Sequence, residues 1–339
     1  MKKKKEDLPF VTVLMAVYNG ERWLAESITS ILNQTFNNFE FIIINDGSID
    51  SSSQILNHFA NEDPRIRIFN KENSGLADSL NYGLAEARGE WVARIDADDI
   101  CNSQRLQKQI EYIRSDADLV LVGAGLVIID KNGLKSEAYH YPDKHDSIMR
   151  RLYKGLPFFA HSSAFFKLNV VQELGGYRTQ FKRSQDQDLW LRLGQVGKIS
   201  CARDPLVLIR KHDEQISNDD SGQQQSIYSH MAMTSYYLRL IDQIDPLESD
   251  MEEEHKTFYD FINQRLKDSD FFDNKKNLDR LKKDISSELS KFAKYRLIAK
   301  NLFFKPVFIY RYMKFRFFGS SLPREFADKW KKNSDRSDD

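Results

Sequence analysis

Two cysteines, Cys101 and Cys201, stand in 339 residues. They lie far apart with no metal-ligand spacing, which argues against a disulfide framework and suits a reducing compartment. Net charge is missing as well. Lys+Arg and Asp+Glu both number 50, so the whole-chain balance points to no acidic or basic partner and gives a nucleic-acid role no support. No apolar run approaches the ~18 residues of a membrane span. No Gly-x-Gly-x-x-Gly follows the first apolar run, and there is no Gly-Lys-Ser/Thr loop, which argues against a dinucleotide dehydrogenase and a P-loop enzyme. A signal peptide is not expected either. Lys2 to Lys5 are followed by Glu6 and Asp7, and the apolar run at 10–17 is short and strand-like. Residues 1–9 read as a basic, disordered tail.

What is present is an alternation. β-branched apolar runs at 10–17, 39–45, 65–70 and 91–95 alternate with helical patterns at 21–34, 51–60 and up to residue 87. In the first helix Trp23, Leu24, Ile28, Ile31 and Leu32 mark one face. Strands alternating with helices predict right-handed βαβ units, a mostly parallel sheet and an α/β fold. Three of the strands end in polar turn residues: Tyr18-Asn19, Asp46-Gly47-Ser48, and Asp96-Ala97-Asp98-Asp99. Parallel topology gathers these ends on one edge, where ligands of open α/β sheets bind. The stretch 91–99 is the most pointed. Val92, Ala93 and Ile95 suit a strand covered on both faces, and three carboxylates follow within four residues. Such acids repel one another unless a hard cation neutralises them, and carboxylate oxygens are hard ligands. Ile100 stands where a haloacid-type phosphatase would carry Thr or Val, so that reading is disfavoured.

These residues carry a family resemblance. Met15-Ala16-Val17-Tyr18-Asn19, Asn45-Asp46-Gly47-Ser48-x-Asp50, Asn73-x-Gly75-Leu76-Ala77-x-Ser79-x-Asn81-x-Gly83 and Asp96-Ala97-Asp98-Asp99 occur in one order. Together they resemble an inverting glycosyltransferase of the GT-A fold, family 2, over about residues 11–217. The resemblance implies a Rossmann-like catalytic domain at 10–220, with a nucleotide-sugar half to about residue 100 and an acceptor half from 101. It implies that Ala16, Tyr18 and Asn19 line the base pocket and that Asp46 holds the base or ribose. Asn73, Gly75 and Leu76 would shape the nucleotide wall, and Asp96 would contact the ribose. Asp98 would hold a divalent metal, Mn2+ or Mg2+, bridging the diphosphate of a UDP-linked sugar. A cation there stabilises the charge that develops on the leaving group.

In the second half, residues 119–129 read as a strand, Asp130-Lys131-Asn132-Gly133 as a turn, and Ser184-Gln185-Asp186-Gln187-Asp188-Leu189-Trp190 as the start of an apolar helix. The last resembles the family's acceptor-side segment, in which the second acid of a pair is the general base. Here Gln185 replaces the first acid and Asp186 is the expected base. Gln185 removes a neighbouring charge that would have raised the Asp186 pKa. Asp188 is the alternative, read first as a helix N-terminal acid favoured by the dipole. Val207-Leu208-Ile209-Arg210-Lys211-His212 resembles the family's strand ending in Arg-x-His, making His212 a metal or diphosphate ligand with Arg210 nearby. His161 is expected to order the acceptor wall.

Beyond about residue 221 the resemblance fades. Residues 226–244, 250–267 and 277–300 look helical, with a break at Asp245-Pro246. Between 291 and 332 twelve basic residues face two acidic ones and are interleaved with aromatics. Such a segment fits an interfacial helix on anionic lipid; a packed lid or a homodimer contact would use it otherwise. The expected protein is a transferase of bacterial surface-polysaccharide assembly, acting on a glycan or lipid-linked acceptor. Its expected place is cytoplasmic, peripheral on the inner membrane face. The competing class is a non-catalytic relative that binds nucleotide sugars or scaffolds an assembly complex, with Gln185 as its support.

Overall fold

The computed structural model describes residues 8–212, 222–240, 242–269 and 271–272. The expected helix at 277–300, the basic aromatic segment at 291–332 and residues 1–7 lie outside these. The chain divides into two compact units, Met1–Asp219 and Asp220–Asp339.

The first unit alternates as expected: β1 Val11–Val17, α1 Leu24–Leu32, β2 Phe39–Asp46, α2 Ser52–Glu62, β3 Ile66–Lys71, α3 Leu76–Glu86 and β4 Trp91–Arg94. It continues with β5 Ile100–Cys101, α4 Arg105–Ser115, β6 Leu119–Ile129, β7 Lys135–Tyr139, α5 His145–Tyr153, β8 Phe165–Lys167, α6 Leu168–Glu173, α7 Gln185–Val196 and β9 Lys198–Arg210. One sheet runs β3-β2-β1-β4-β8-β6-β9-β5, with β7 paired to β6. β3, β2, β1 and β4 are parallel neighbours, as are β6 and β9. β8 runs against both β4 and β6, and β5 and β7 run against β9 and β6. Six of the nine strands therefore point one way.

The sequence explains the layering. All eight residues of β2, Phe-Glu-Phe-Ile-Ile-Ile-Asn-Asp, are buried, the near-continuous run of a strand covered on both faces. Leu24, Ile28 and Ile31 recur at helical spacing and turn one face of α1 into the core. α7 is buried almost all round through Leu189, Trp190, Leu191 and Leu193, and Trp190 packs against Phe159, His161 and Phe166. Gly83 lets α3 lie on the sheet, since a Cβ there would meet Leu14 at 2.3 Å. Truncating a residue such as Ile43, fully buried in one cluster with Leu24, Ile28 and Ile31 of α1, would cost about 2–5 kcal/mol.

In the second unit, α8 Gln223–Leu240 and α9 Glu252–Asp268 flank a 3-10 turn, Pro246–Glu248. The expected break has a cause. Buried Asp245 accepts the Leu247 N–H at 3.1 Å and pairs with Arg239, while Pro246 opens the turn. Tyr228 and Tyr259 bring α8 and α9 together at 5.5 Å between rings. No helix among the described residues is long and apolar enough to cross a membrane.

Candidate active site

The carboxyl ends of β1, β2, β3 and β4 meet on one edge of the first unit, and the loops there are tied to one another. Asn19 adopts a left-handed φ of 51°. Its N–H donates to Ser48 Oγ at 3.0 Å, and its side-chain oxygen accepts the Ile49 N–H at 2.9 Å. Gly20 N–H reaches Ser52 Oγ at 2.9 Å, Glu21 N–H reaches Asp50 at 3.0 Å, and Ser51 N–H returns to Glu21 at 2.8 Å. Short polar side chains thus hold the backbone of the neighbouring loop. Most residues of the Asn-Asp-Gly-Ser-x-Asp motif are engaged this way.

Asp46, at the end of β2, is buried and receives Lys71 at 2.7 Å, Ser74 N–H at 3.0 Å and Gly75 N–H at 3.0 Å. Burial alone would raise its carboxyl; Lys71 and the two amides outweigh that and hold it below its ordinary value. Asp46 therefore anchors the turn that carries Asn73, Gly75 and Leu76. Gly47 has φ 74°, and a Cβ on it would meet Asn73 N at 2.8 Å, so these two turns pack backbone to backbone. Ala16 pairs with Ile44 inside the ladder. Tyr18, expected in the base pocket, is 52% exposed.

The acidic cluster follows β4. Oxygens of Asp96, Asp98 and Asp99 lie within 4.8 Å of one another. Arg94 forms a two-pronged pair with Asp96. Ser162 Oγ donates to Asp96 at 2.8 Å, also bonds Asp99, and accepts the Asp96 N–H at 3.0 Å. Asp99 accepts the Arg210 N–H at 3.0 Å. His212 Nε2 bonds Asp98 Oδ2 at 2.8 Å. Burial and then the Asp96 charge raise the Asp98 carboxyl, with His212 opposing; burial, Asp98 and Asp96 raise Asp99 well above its ordinary value. Carboxylate oxygens are what Mn2+ or Mg2+ takes. The Asp98–His212 separation is also close to the ~3 Å between adjacent ligands bound at about 2.1 Å. The oxygens of Asp96, Asp98 and Asp99 could hold a divalent cation, and the His212 ring nitrogen lies beside Asp98.

On the expected acceptor side, Asp186 lies in the first turn of α7. Its carboxylate accepts the Gln187 N–H at 2.8 Å. Burial raises its pKa, Arg94 opposes, and the Asp96 charge adds to the rise, so Asp186 faces the same charged group as the acidic cluster. Asp188 is different. It is fully buried and binds Arg192 at 2.8 Å and Arg178 at 3.4 Å. It is spent on an internal ion pair, which goes beyond the expected helix-dipole role. His161 Nε2 meets the Tyr177 hydroxyl at 2.7 Å, and burial pushes its imidazole well below the ordinary value, with Arg94 adding to the drop. Asn81 clamps Tyr177 from below, receiving its N–H at 2.8 Å and donating to its carbonyl at 2.7 Å.

The family model of glycosyl transferase family 2 matches residues 12–175. EpsE of Bacillus subtilis, assigned as a glycosyltransferase, is 37% identical over 193 residues, covering 56% of this chain and 68% of its own. The O-antigen biosynthesis glycosyltransferase WbnJ of Escherichia coli is 37% identical over 190 residues, covering 55% of this chain and 72% of its own. The chain belongs to glycosyl transferase family 2. Its fold is likewise that of S. aureus TarS, solved as residues 1–349 with UDP-GlcNAc, at a TM-score of 0.56 and 17% identity over 95% of this chain and 92% of that one. The GT-A reading of the sequence therefore stands.

Within this family 2 chain, several site residues went unread in the sequence. Arg94 had a signal: two residues before Asp96 on an extended segment, it falls on the same face. Ser162, Tyr177 and the Glu26–Arg210 pair had none, because each meets its partner only through the folded sheet. Trp23 was read as helix face; its ring lies 4.1 Å from that of His212.

Proposed function

We propose that this glycosyltransferase moves a sugar, with inversion, from a UDP-linked donor to a hydroxyl of a glycan or lipid-linked acceptor in bacterial surface-polysaccharide assembly, at the inner membrane face. The observation that carries the reading is the meeting of Asp98 and His212, 114 residues apart, at 2.8 Å beside Asp96 and Asp99 on the edge where β1, β2 and β4 end. The WbnJ match and the UDP-GlcNAc held by the TarS fold support the polysaccharide setting and the donor class.

Ala16, Tyr18, Asn19, Asp46, Asn73, Gly75, Leu76 and Asp96 form the nucleotide side of the site. Asp46 acts by fixing the turn at 74–75, and Arg94 and Ser162 hold Asp96 in one orientation. Asp98 and His212 would hold Mn2+ or Mg2+, which would supply positive charge to the diphosphate leaving group. Asp186 takes the proton of the acceptor hydroxyl. Burial raises its pKa, which makes it a stronger base than an exposed carboxylate. The lipid-surface role rests on the 291–332 segment and predicts that vesicle binding weakens only partly at high salt.

The test is a panel of UDP and GDP sugars, with Mn2+ or EDTA, scored for binding and hydrolysis. Asp98→Ala should remove metal-dependent nucleotide-sugar binding while the thermal midpoint stays within a few degrees. Unchanged manganese-dependent affinity in that variant would take Asp98 out of the site.

A further inference from the structure

Trp23 immediately precedes α1, yet its ring is gripped by three separate parts of the first unit. Its face lies against the His212 imidazole, 4.1 Å between centroids with a 40° tilt. Its indole N–H donates to the Lys131 carbonyl in the β6–β7 turn at 3.4 Å. The guanidinium of Arg22 sits 4.5 Å from the ring and that of Arg210, on β9, 5.6 Å away. Arg210 is itself fastened to α1 through Glu26, and it donates to the Asp98 carbonyl at 3.0 Å. His212 lies two residues past the end of β9. The indole therefore covers one face of the imidazole whose edge meets Asp98.

From this geometry we infer that Trp23 is a positioning residue for His212, setting the plane of the imidazole so that Nε2 points at Asp98 before any cation arrives. The inference rests on the metal-site reading above. An imidazole turns about two side-chain bonds, and a ligand held in one rotamer loses less freedom on binding. Residues that orient metal-bound histidines cost about 10–100-fold in metal affinity when removed. Trp23 does this by ring contact, and a smaller ring keeps part of it. The same proximity makes Trp23 a reporter, because paramagnetic Mn2+ held by His212 would lie close to the indole and quench its emission.

The experiment uses the full chain with Mn2+ alone and with Mn2+ plus UDP. Titration of the wild type should quench part of the tryptophan emission. Trp23→Phe should lose that component and keep Mn2+ affinity within about threefold by calorimetry. Trp23→Leu should weaken Mn2+ binding by about tenfold or more, His212→Ala by at least as much, and excess Mn2+ should restore turnover in Trp23→Leu. A merely structural indole would lower the thermal midpoint of Trp23→Leu without moving Mn2+ affinity, and that result overturns the proposal while the metal site stands. Should Trp23→Leu fail to fold, the Trp23→Phe quench decides: persistence of the full wild-type quench places the metal away from Trp23 and overturns it. A wild type that binds no Mn2+ under either condition removes the metal-site reading and this inference together.

Discussion

The donor side and the acceptor side of this sheet edge are held by different forces. On the donor side, five hydrogen bonds cross between the loops after β1 and β2, each from a backbone N–H to a side-chain oxygen about thirty residues away. Neutral or singly charged groups do the work, and both loops follow adjacent parallel strands. On the acceptor side, buried charges hold the site: Arg192 and Arg178 with Asp188. The hydrogen-bonded side sets a shape; the ionic side locks a buried carboxylate in place. Two carboxylates of α7 sharpen the point. Asp186 and Asp188 are two residues apart, yet one keeps a raised pKa and faces the cluster while the other is locked between two arginines.

Breaking the acceptor side at Asp186 should have the largest effect. Asp186→Asn keeps the shape but cannot take the proton, so turnover should fall about 10²–10⁴-fold with donor affinity retained. Single-turnover kinetics beside calorimetry with UDP would check this, and full activity would exclude Asp186 as the base. Asp188→Ala should do the reverse. It leaves Arg192 and Arg178 without their buried partner and should cost about 3–5 kcal/mol in urea unfolding, with turnover per folded molecule near wild type. A stable but inactive Asp188→Ala would interchange the two roles.

The donor side should yield less. Gly47→Ala forces a Cβ onto a left-handed backbone against Asn73. It should cost about 1–2 kcal/mol and raise the donor KM while leaving kcat nearly intact. A kcat loss without a KM change would mean the turn acts on chemistry. The smallest effect is in pH. The fold keeps His161 neutral well below its ordinary 6.5, while the unfolded chain gains a proton as pH drops through that value. Stability from this group is therefore fully present above about 6.5 and lost as pH falls below it, at most about 1.4 kcal/mol per pH unit. His161→Gln should flatten that part of the slope between pH 7 and 5 in denaturation series; an unchanged slope would assign it to other groups.

The same contrast governs what could be read from sequence. β1 to β4 were legible because strand and helix periods alternate over long segments, and each strand closes on turn residues. The antiparallel β8 was not, since three residues, Phe165–Lys167, are too short to show alternation. Asp96, Asp98 and Asp99 announced themselves as a cluster, but their supports did not. Ser162 is a plain serine in sequence, and Arg210 meets Glu26 across 184 residues. Pairing of Asp98 with His212 came through resemblance and not through any local pattern.

The interlocked loops after β1 and β2 bear on how this scaffold can be altered. Asn19 and Glu21 of one loop, and Ser48, Asp50 and Ser52 of the other, each supply a side chain that satisfies the partner's backbone. Neither loop is a replaceable part by itself. A graft of residues 18–22 from a relative would strand the amides of Ile49 and Ser51, whereas moving 18–22 and 46–52 together carries the complete set of donors and acceptors. The transplantable cassette on this edge is the pair of loops, and a change of donor preference would have to travel with both.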